Sequence, residues 1–421
     1  MKGMSWAAAA TAAGLLAACG SGGGNDDAPA CDPDTEFCGA IPSSAFACED
    51  AQYWPLAVES GSRPLLVHYS RRADADVAAE MLAILETAWD VQIDAVGFAE
   101  PLPDGGLCGP DDRYDVFLWR GLDGAFVEAL ADNPATVHDD FTTYMAINPF
   151  AELGGEFLDT TLAHELNHAV QASDDWWESA LIFEMTATYA ETLVFPEQDD
   201  WFYTLEDFQN NPEWSLFYDD AYETWYMYGA AMFLHFLEQR HYAGDPGFIA
   251  RVWRAARSDP AVGRPDYLDA LRSVLASELG VTLEDAVVEF MQWRWFVAEL
   301  DDGMHFARGA DWPFTVWHEE VDARVSQAVV ELEAMVYGAH YLRLVNPSGV
   351  QRQVAIDLAV DDADVDWRLT TAGGDAVAGT VLVPANGDLV IVATVLPLEP
   401  LSAGMLDFEP RTATLDVRAA N

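Results

Sequence analysis

A chain of 421 residues exceeds what one hydrophobic core usually holds, so about two domains are expected. Hydrophobic residues make up 51% and aromatics 12%, enough to pack cores, which excludes a mainly disordered chain. The formal net charge of −51, from 71 acidic and 20 basic residues, repels phosphate backbones and excludes nucleic acid as a partner.

Lys2 is followed by an apolar run from Ala7 to Ala18, the length of a signal-peptide core and too short to span a bilayer. It ends in "LAAC", Leu16 to Cys19, which resembles the bacterial lipobox, where the cysteine is diacylated and becomes the mature N-terminus. The expected layout is therefore a lipoprotein signal peptide over 1–18 and a flexible, Cys-containing tether over 19–50. Lipid on Cys19 would be the membrane contact and would place the chain, exported, at the outer cell surface or beyond it. With Cys19 set aside, Cys31, Cys38, Cys48 and Cys108 remain, and three pairings are possible. Cys31–Cys38 with Cys48–Cys108 is the favoured one, because it closes one small loop and staples the arm to the folded domain.

The next domain is expected over 51–320. "RPLLVHYS" (63–70) reads as a strand, and 74–98 has helical apolar spacing with an acidic start. A loop dense in Pro, Gly and Asp follows. "RYDVFLW" (113–119) and "TTYMAIN" (142–148) are rich in β-branched and aromatic residues and read as strands. From about Trp176 to Leu300 the pattern is mostly helical, with helices expected over 220–242, 246–257, 265–279 and 282–300 and Thr282 as an N-cap. From 321 to 421 short strands alternate with Gly, Asn, Asp and Pro turns: "HYLRLVN", "RQVAIDLAV", "VDWRLTTA", "TVLVPA" and "DLVIVATVL". The fold class that follows is α+β. A mixed sheet and an active-site helix lead into a helical subdomain, and an all-β sandwich closes the chain.

The chemistry concentrates at "HELNH", residues 164–168. On a helix His164 and His168 project from one face, and two imidazoles at that spacing can close on one Zn²⁺. Glu165 lies about 100° further round the helix. It flanks the metal and is placed to take a proton from an activated water. A catalytic zinc needs a third protein ligand. In "LIFEMTATYAE" Glu184 and Glu191 are seven residues apart and share a helix face. Glu184 is the expected third ligand, and Glu191 the acceptor for a ligand histidine's N–H. Asp174 and Glu178 are rival ligands. For Asp174 the rival pattern requires a glycine at position 171, where this chain has Gln171. Tyr228, ahead of a small "GAA" patch, is the candidate donor to an oxyanion.

These stretches, "TLAHELNHAVQ" (161–171) and "WESALIFEMTATYAE" (177–191), resemble the gluzincin metallopeptidases, with the hyicolysin-like group and related bacterial secreted metalloproteases closest in pattern. The resemblance covers residues 63 to about 255. It implies a zincin-like catalytic domain, zinc on His164, His168 and Glu184, and Glu165 as the catalytic base. It also implies that "TTYMAIN" is the edge strand that pairs with an extended substrate peptide. Met185 departs from the glycine that often follows the ligand glutamate. The expected activity is zinc-dependent hydrolysis of peptide bonds in a protein or peptide substrate. The alternative is a catalytically inactive zincin scaffold acting as a surface binding module.

Overall fold

The computed structural model describes residues 31–42, 44–151, 157–219, 222–259, 263–360 and 362–420. The expected signal peptide and Cys19 lie outside them. Two compact units emerge.

The first unit is built on a five-stranded sheet: β1 (Leu56–Glu59), β2 (Leu65–Tyr69), β3 (Tyr114–Leu118), β4 (Ala125–Asp132) and β5 (Phe141–Ile147), in the order β1-β2-β3-β5-β4. β2, β3 and β5 run parallel, while β1 and β4 are antiparallel edges. β3 is buried along its whole length, as a parallel strand covered on both faces must be. Helix α1 (Ala75–Trp89) makes the crossover from β2 to β3 and buries Ala78, Met81, Leu82, Leu85 and Trp89, one apolar stripe at helical spacing. It runs on as a π-helical stretch, Asp90–Val96, and stops at Gly97, whose φ of 87° favours glycine. Helix α2 (Leu158–Ala172) packs against α1 and β5, and α3 (Ala180–Val194) follows a short turn, its residues from Thr186 on belonging to this unit.

Two expectations change here. "TTYMAIN" is an interior strand, lying between β3 and β4, so β4 and not β5 is the edge. β4 is half-buried along almost its whole length, so its sequence carries no in–out alternation to announce it. The loose tether expected up to residue 50 gives way, by Cys31, to a fastened arm. Cys31–Cys38 and Cys48–Cys108 are both disulfides, in the expected pairing. Ala47 is fully buried in a cluster with Trp54, Cys108, Phe117, Trp119 and Tyr144.

The second unit contains α4 (Phe202–Asn210), α5 (Tyr226–Gly229), α6 (Ala231–Phe236), α7 (Gly247–Ala256), α8 (Tyr267–Val274) and α9 (Leu283–Trp293), together with the C-terminal strands. Thr282 caps α9 by accepting from the Asp285 amide at 3.0 Å, as expected. The single helix expected over 220–242 begins instead at Tyr226 and breaks after Gly229. There α5 presses on α4 so closely that a Cβ on Gly229 would sit 2.5 Å from the Thr204 carbonyl oxygen. The strands β6 (Glu319–Asp322), β7 (Ala328–Ala334), β8 (Ala339–Asn346), β9 (Arg352–Val360), β10 (Val365–Thr371), β11 (Gly379–Val383), β12 (Gly387–Pro397) and β13 (Arg411–Ala419) form two sheets. Their orders are β10-β12-β8-β6 and β11-β9-β13-β7, antiparallel throughout except for β6 beside β8. β7 alternates buried and exposed residues, as a strand with one face in water should. β8 and β12 are buried almost continuously because helices cover their other face. The Tyr341 hydroxyl on β8, for instance, donates to the Met291 carbonyl of α9 at 2.5 Å.

Candidate metal centre

Helix α2 buries twelve of its residues, including both the His164 ring and the Glu165 carboxyl. His164 and His168 stand four residues apart, their ring centroids 4.6 Å apart and their planes perpendicular. His164 Nδ1 is bonded to a Glu191 carboxylate oxygen from α3, the partner expected for it. His168 Nδ1 lies 2.8 Å from Gln171 Oε1. With Nδ1 engaged in both rings, Nε2 is the nitrogen that each offers to a metal. Glu184 lies on α3, two turns before Glu191 and on the same face. One ligand atom from each of His164, His168 and Glu184 falls within 4.8 Å of the other two.

The donor set fits zinc. Two imidazoles and one carboxylate form a familiar catalytic set, and at zinc–ligand distances of about 2.0–2.1 Å only a small closure brings the three atoms onto one ion. The electrostatics point the same way. Glu165, Glu184 and Glu191 are 7%, 5% and 9% exposed. Three carboxyl groups under cover beside two imidazoles are costly to keep charged unless a cation shares the site.

The rival ligand Asp174 is engaged elsewhere: it is fully buried and accepts from Arg257 Nε at 2.6 Å. Its neighbour Asp175 accepts from the Ser258 hydroxyl at 2.9 Å, so the turn after α2 is tied to the 256–264 segment. Burial pushes the Asp175 carboxyl up, against the pull of the Trp177 amide and Ser258. Glu178 sits half-buried in the turn before α3. Tyr228, the expected oxyanion donor, lies on α5, half-buried, with its ring centroid 5.3 Å from that of Trp225.

Asp104, Cys108 and Asp115 also gather their side chains. Cys108 Sγ is held in a disulfide and supplies no thiolate, so this group lacks the donor that would make it a metal centre. His68 has a structural place there, with Nε2 at 2.6 Å from Asp115 Oδ1 and its ring stacked on Phe117. One residue near the centre escaped the sequence reading. Burial raises the Tyr114 hydroxyl far above its ordinary pKa, and the Glu165 carboxylate adds to the rise. Tyr114 opens β3, and its own segment carries no signal of a tie to "HELNH".

No curated protein matches the chain. Among solved structures, the Salmonella Typhimurium PliG, a periplasmic inhibitor of g-type lysozyme, is 12% identical over 24% of this chain and 100% of its own, with a TM-score of 0.16. The PliG of Aeromonas hydrophila is 16% identical over 24% of this chain and 96% of its own, with a TM-score of 0.17. Residues 59–279, just over half of the sequence, match the model described as "Family of unknown function (DUF6055)". The chain therefore belongs to the DUF6055 family.

Proposed function

We propose that this chain is a zinc-dependent endopeptidase of gluzincin type, with a zincin-like catalytic unit, exported and held at the cell surface by lipid on Cys19. The observation that carries the reading is the convergence of His164, His168 and Glu184 within 4.8 Å, with Glu165 one step along the same helix. A bound zinc would polarise the scissile carbonyl and acidify a water. Glu165 takes that proton and delivers it to the leaving amine. Glu191 and Gln171 hold the two rings by Nδ1. The outer edge of β4 offers main-chain groups to an extended peptide, so the substrate role first assigned to "TTYMAIN" passes to its neighbour. Tyr228 is the proposed donor to the developing oxyanion. Export is supported by two disulfides, which persist in oxidising compartments. Among the described residues no helix is long and apolar enough to cross a membrane.

The test is Glu165→Gln. The variant should keep its zinc and lose casein cleavage by at least ~100-fold, the scale of a general-base contribution. Wild-type cleavage should stop on addition of a chelator. A Glu165→Gln protein that cleaves as fast as wild type removes the mechanism. A wild type that holds zinc yet cleaves no member of a peptide library supports the alternative, an inactive scaffold that binds.

A further inference from the structure

Three buried amides form a line that ends at His168. It starts at Gln92, in the π-helical stretch that prolongs α1, a type of distortion that recurs at functional sites. Gln92 Nε2 donates to the Ala163 carbonyl of α2 at 2.7 Å. A main-chain carbonyl only accepts, so the Gln92 amide has one orientation. Its Oε1 therefore accepts from Asn167 Nδ2 at 3.0 Å, which orients Asn167. Asn167 Oδ1 accepts from Gln171 Nε2 at 2.7 Å, which orients Gln171. Gln171 Oε1 then faces His168 Nδ1 at 2.8 Å. An amide oxygen cannot donate, so the proton of the neutral ring sits on Nδ1 and the lone pair on Nε2. Gln92, Asn167 and Gln171 are each 0% exposed, so bulk water does not compete for these bonds.

We infer that Gln92, Asn167 and Gln171 are positioning residues. They form a one-way amide relay that fixes the tautomer of His168, and a residue outside the motif helix, Gln92, sets its polarity. The consequence for metal binding rests on the zinc reading above; the tautomer is a property of the metal-free chain. None of the three touches substrate or metal in this scheme. Each acts through His168, and together they present its Nε2 as a ready ligand.

The test reads the two apart. Long-range ¹H–¹⁵N correlation spectra of the metal-free chain at alkaline pH should show His168 as a single species protonated at Nδ1. Gln92→Leu should turn it into a mixture of tautomers. Gln171→Leu, which removes the acceptor itself, should do the same, and Gln171→Glu, which gives up the donor to Asn167 but keeps an acceptor facing His168, should restore the Nδ1–H form. Zinc competition with a chromophoric chelator should give a Kd about 10–100-fold weaker for both leucine variants, the usual cost of removing a ligand's partner, and close to wild type for Gln171→Glu. An Nε2–H ring in the wild type, or an unchanged Nδ1–H ring in the leucine variants, overturns the relay. If Gln92→Leu fails to fold, the wild type and the Gln171 pair decide. If the tautomers behave as stated but the wild type itself binds no zinc, the relay stands and the zinc reading falls. If zinc affinity drops with no change of tautomer, the relay falls and the zinc reading stands.

Discussion

The two disulfides should differ sharply in what they contribute, and the Cys48–Cys108 bridge should dominate the stability of the first unit. It spans 60 residues of sequence, whereas Cys31–Cys38 spans 7. In the chain-entropy model, closing the larger loop in the unfolded state is worth about 4 kcal/mol and the smaller about 2.5 kcal/mol. The larger bridge also has the better attachment. Cys108 is 5% exposed within the cluster of Trp54, Phe117, Trp119 and Tyr144, and Ala47 beside Cys48 is fully buried in the same cluster. Replacing Cys48 and Cys108 by alanine therefore releases the arm and loosens a packed face of the sheet. Replacing Cys31 and Cys38 frees a loop whose side chains are largely half-buried or exposed. The assay is native-state hydrogen exchange at Val116 and Phe117 on β3, whose side chains are 0% and 1% exposed. Loss of about 4 kcal/mol corresponds to roughly a thousandfold faster exchange there. The Cys31/Cys38 variant should move those amides roughly tenfold less, the ~1.5 kcal/mol difference between the two loops. Equal acceleration in the two variants, or none in Cys48→Ala/Cys108→Ala, would refute the reasoning.

Two further outcomes are expected. Burial, reinforced by the neighbouring His318, lowers His340 to about 4. The unfolded chain then takes up the proton first as pH falls, so the neutral ring's contribution is present above about 6.5 and lost on descent towards 4, about 3 kcal/mol in all. Urea midpoints of the second unit should fall across that window in wild type and fall less steeply in His340→Gln; identical slopes would contradict this. Asp174→Ala should leave zinc content unchanged, yet lower the stability of the first unit by about 2 kcal/mol by stranding Arg257, as measured by urea unfolding. Loss of zinc in that variant would return Asp174 to the ligand set.

Much of this was legible because it is local. The i, i+4 spacing of His164 and His168 survives folding, since a helix fixes it. The seven-residue spacing of Glu184 and Glu191 likewise put both carboxyls on one face of α3. Of the three possible cysteine pairings, the favoured one, a small loop plus a staple from the arm to the folded domain, is the one formed. Strands β2, β3, β5 and β8 to β12 carried enough branched and aromatic residues to be read directly. β4 was not legible, because its half-buried course removes the alternation that marks a strand, and the edge position was misassigned with it. The break after Gly229 falls where α5 lies against α4, a helix that was not singled out in the sequence. Gln92 lies 71 residues from the carbonyl it bonds, and nothing in "WDVQIDAV" distinguishes it from any helix glutamine. Contacts of that range are set by how α1 and α2 pack, which a periodicity in one segment cannot encode.

The central claim is that Glu184 completes a zinc centre with His164 and His168. Metal analysis of the purified chain, wild type beside Glu184→Ala, reads it directly after equilibration with zinc and removal of the excess. We expect one zinc per wild-type chain and close to none in the variant. A wild type that retains no zinc, or a Glu184→Ala chain that retains it as tightly, would contradict the account.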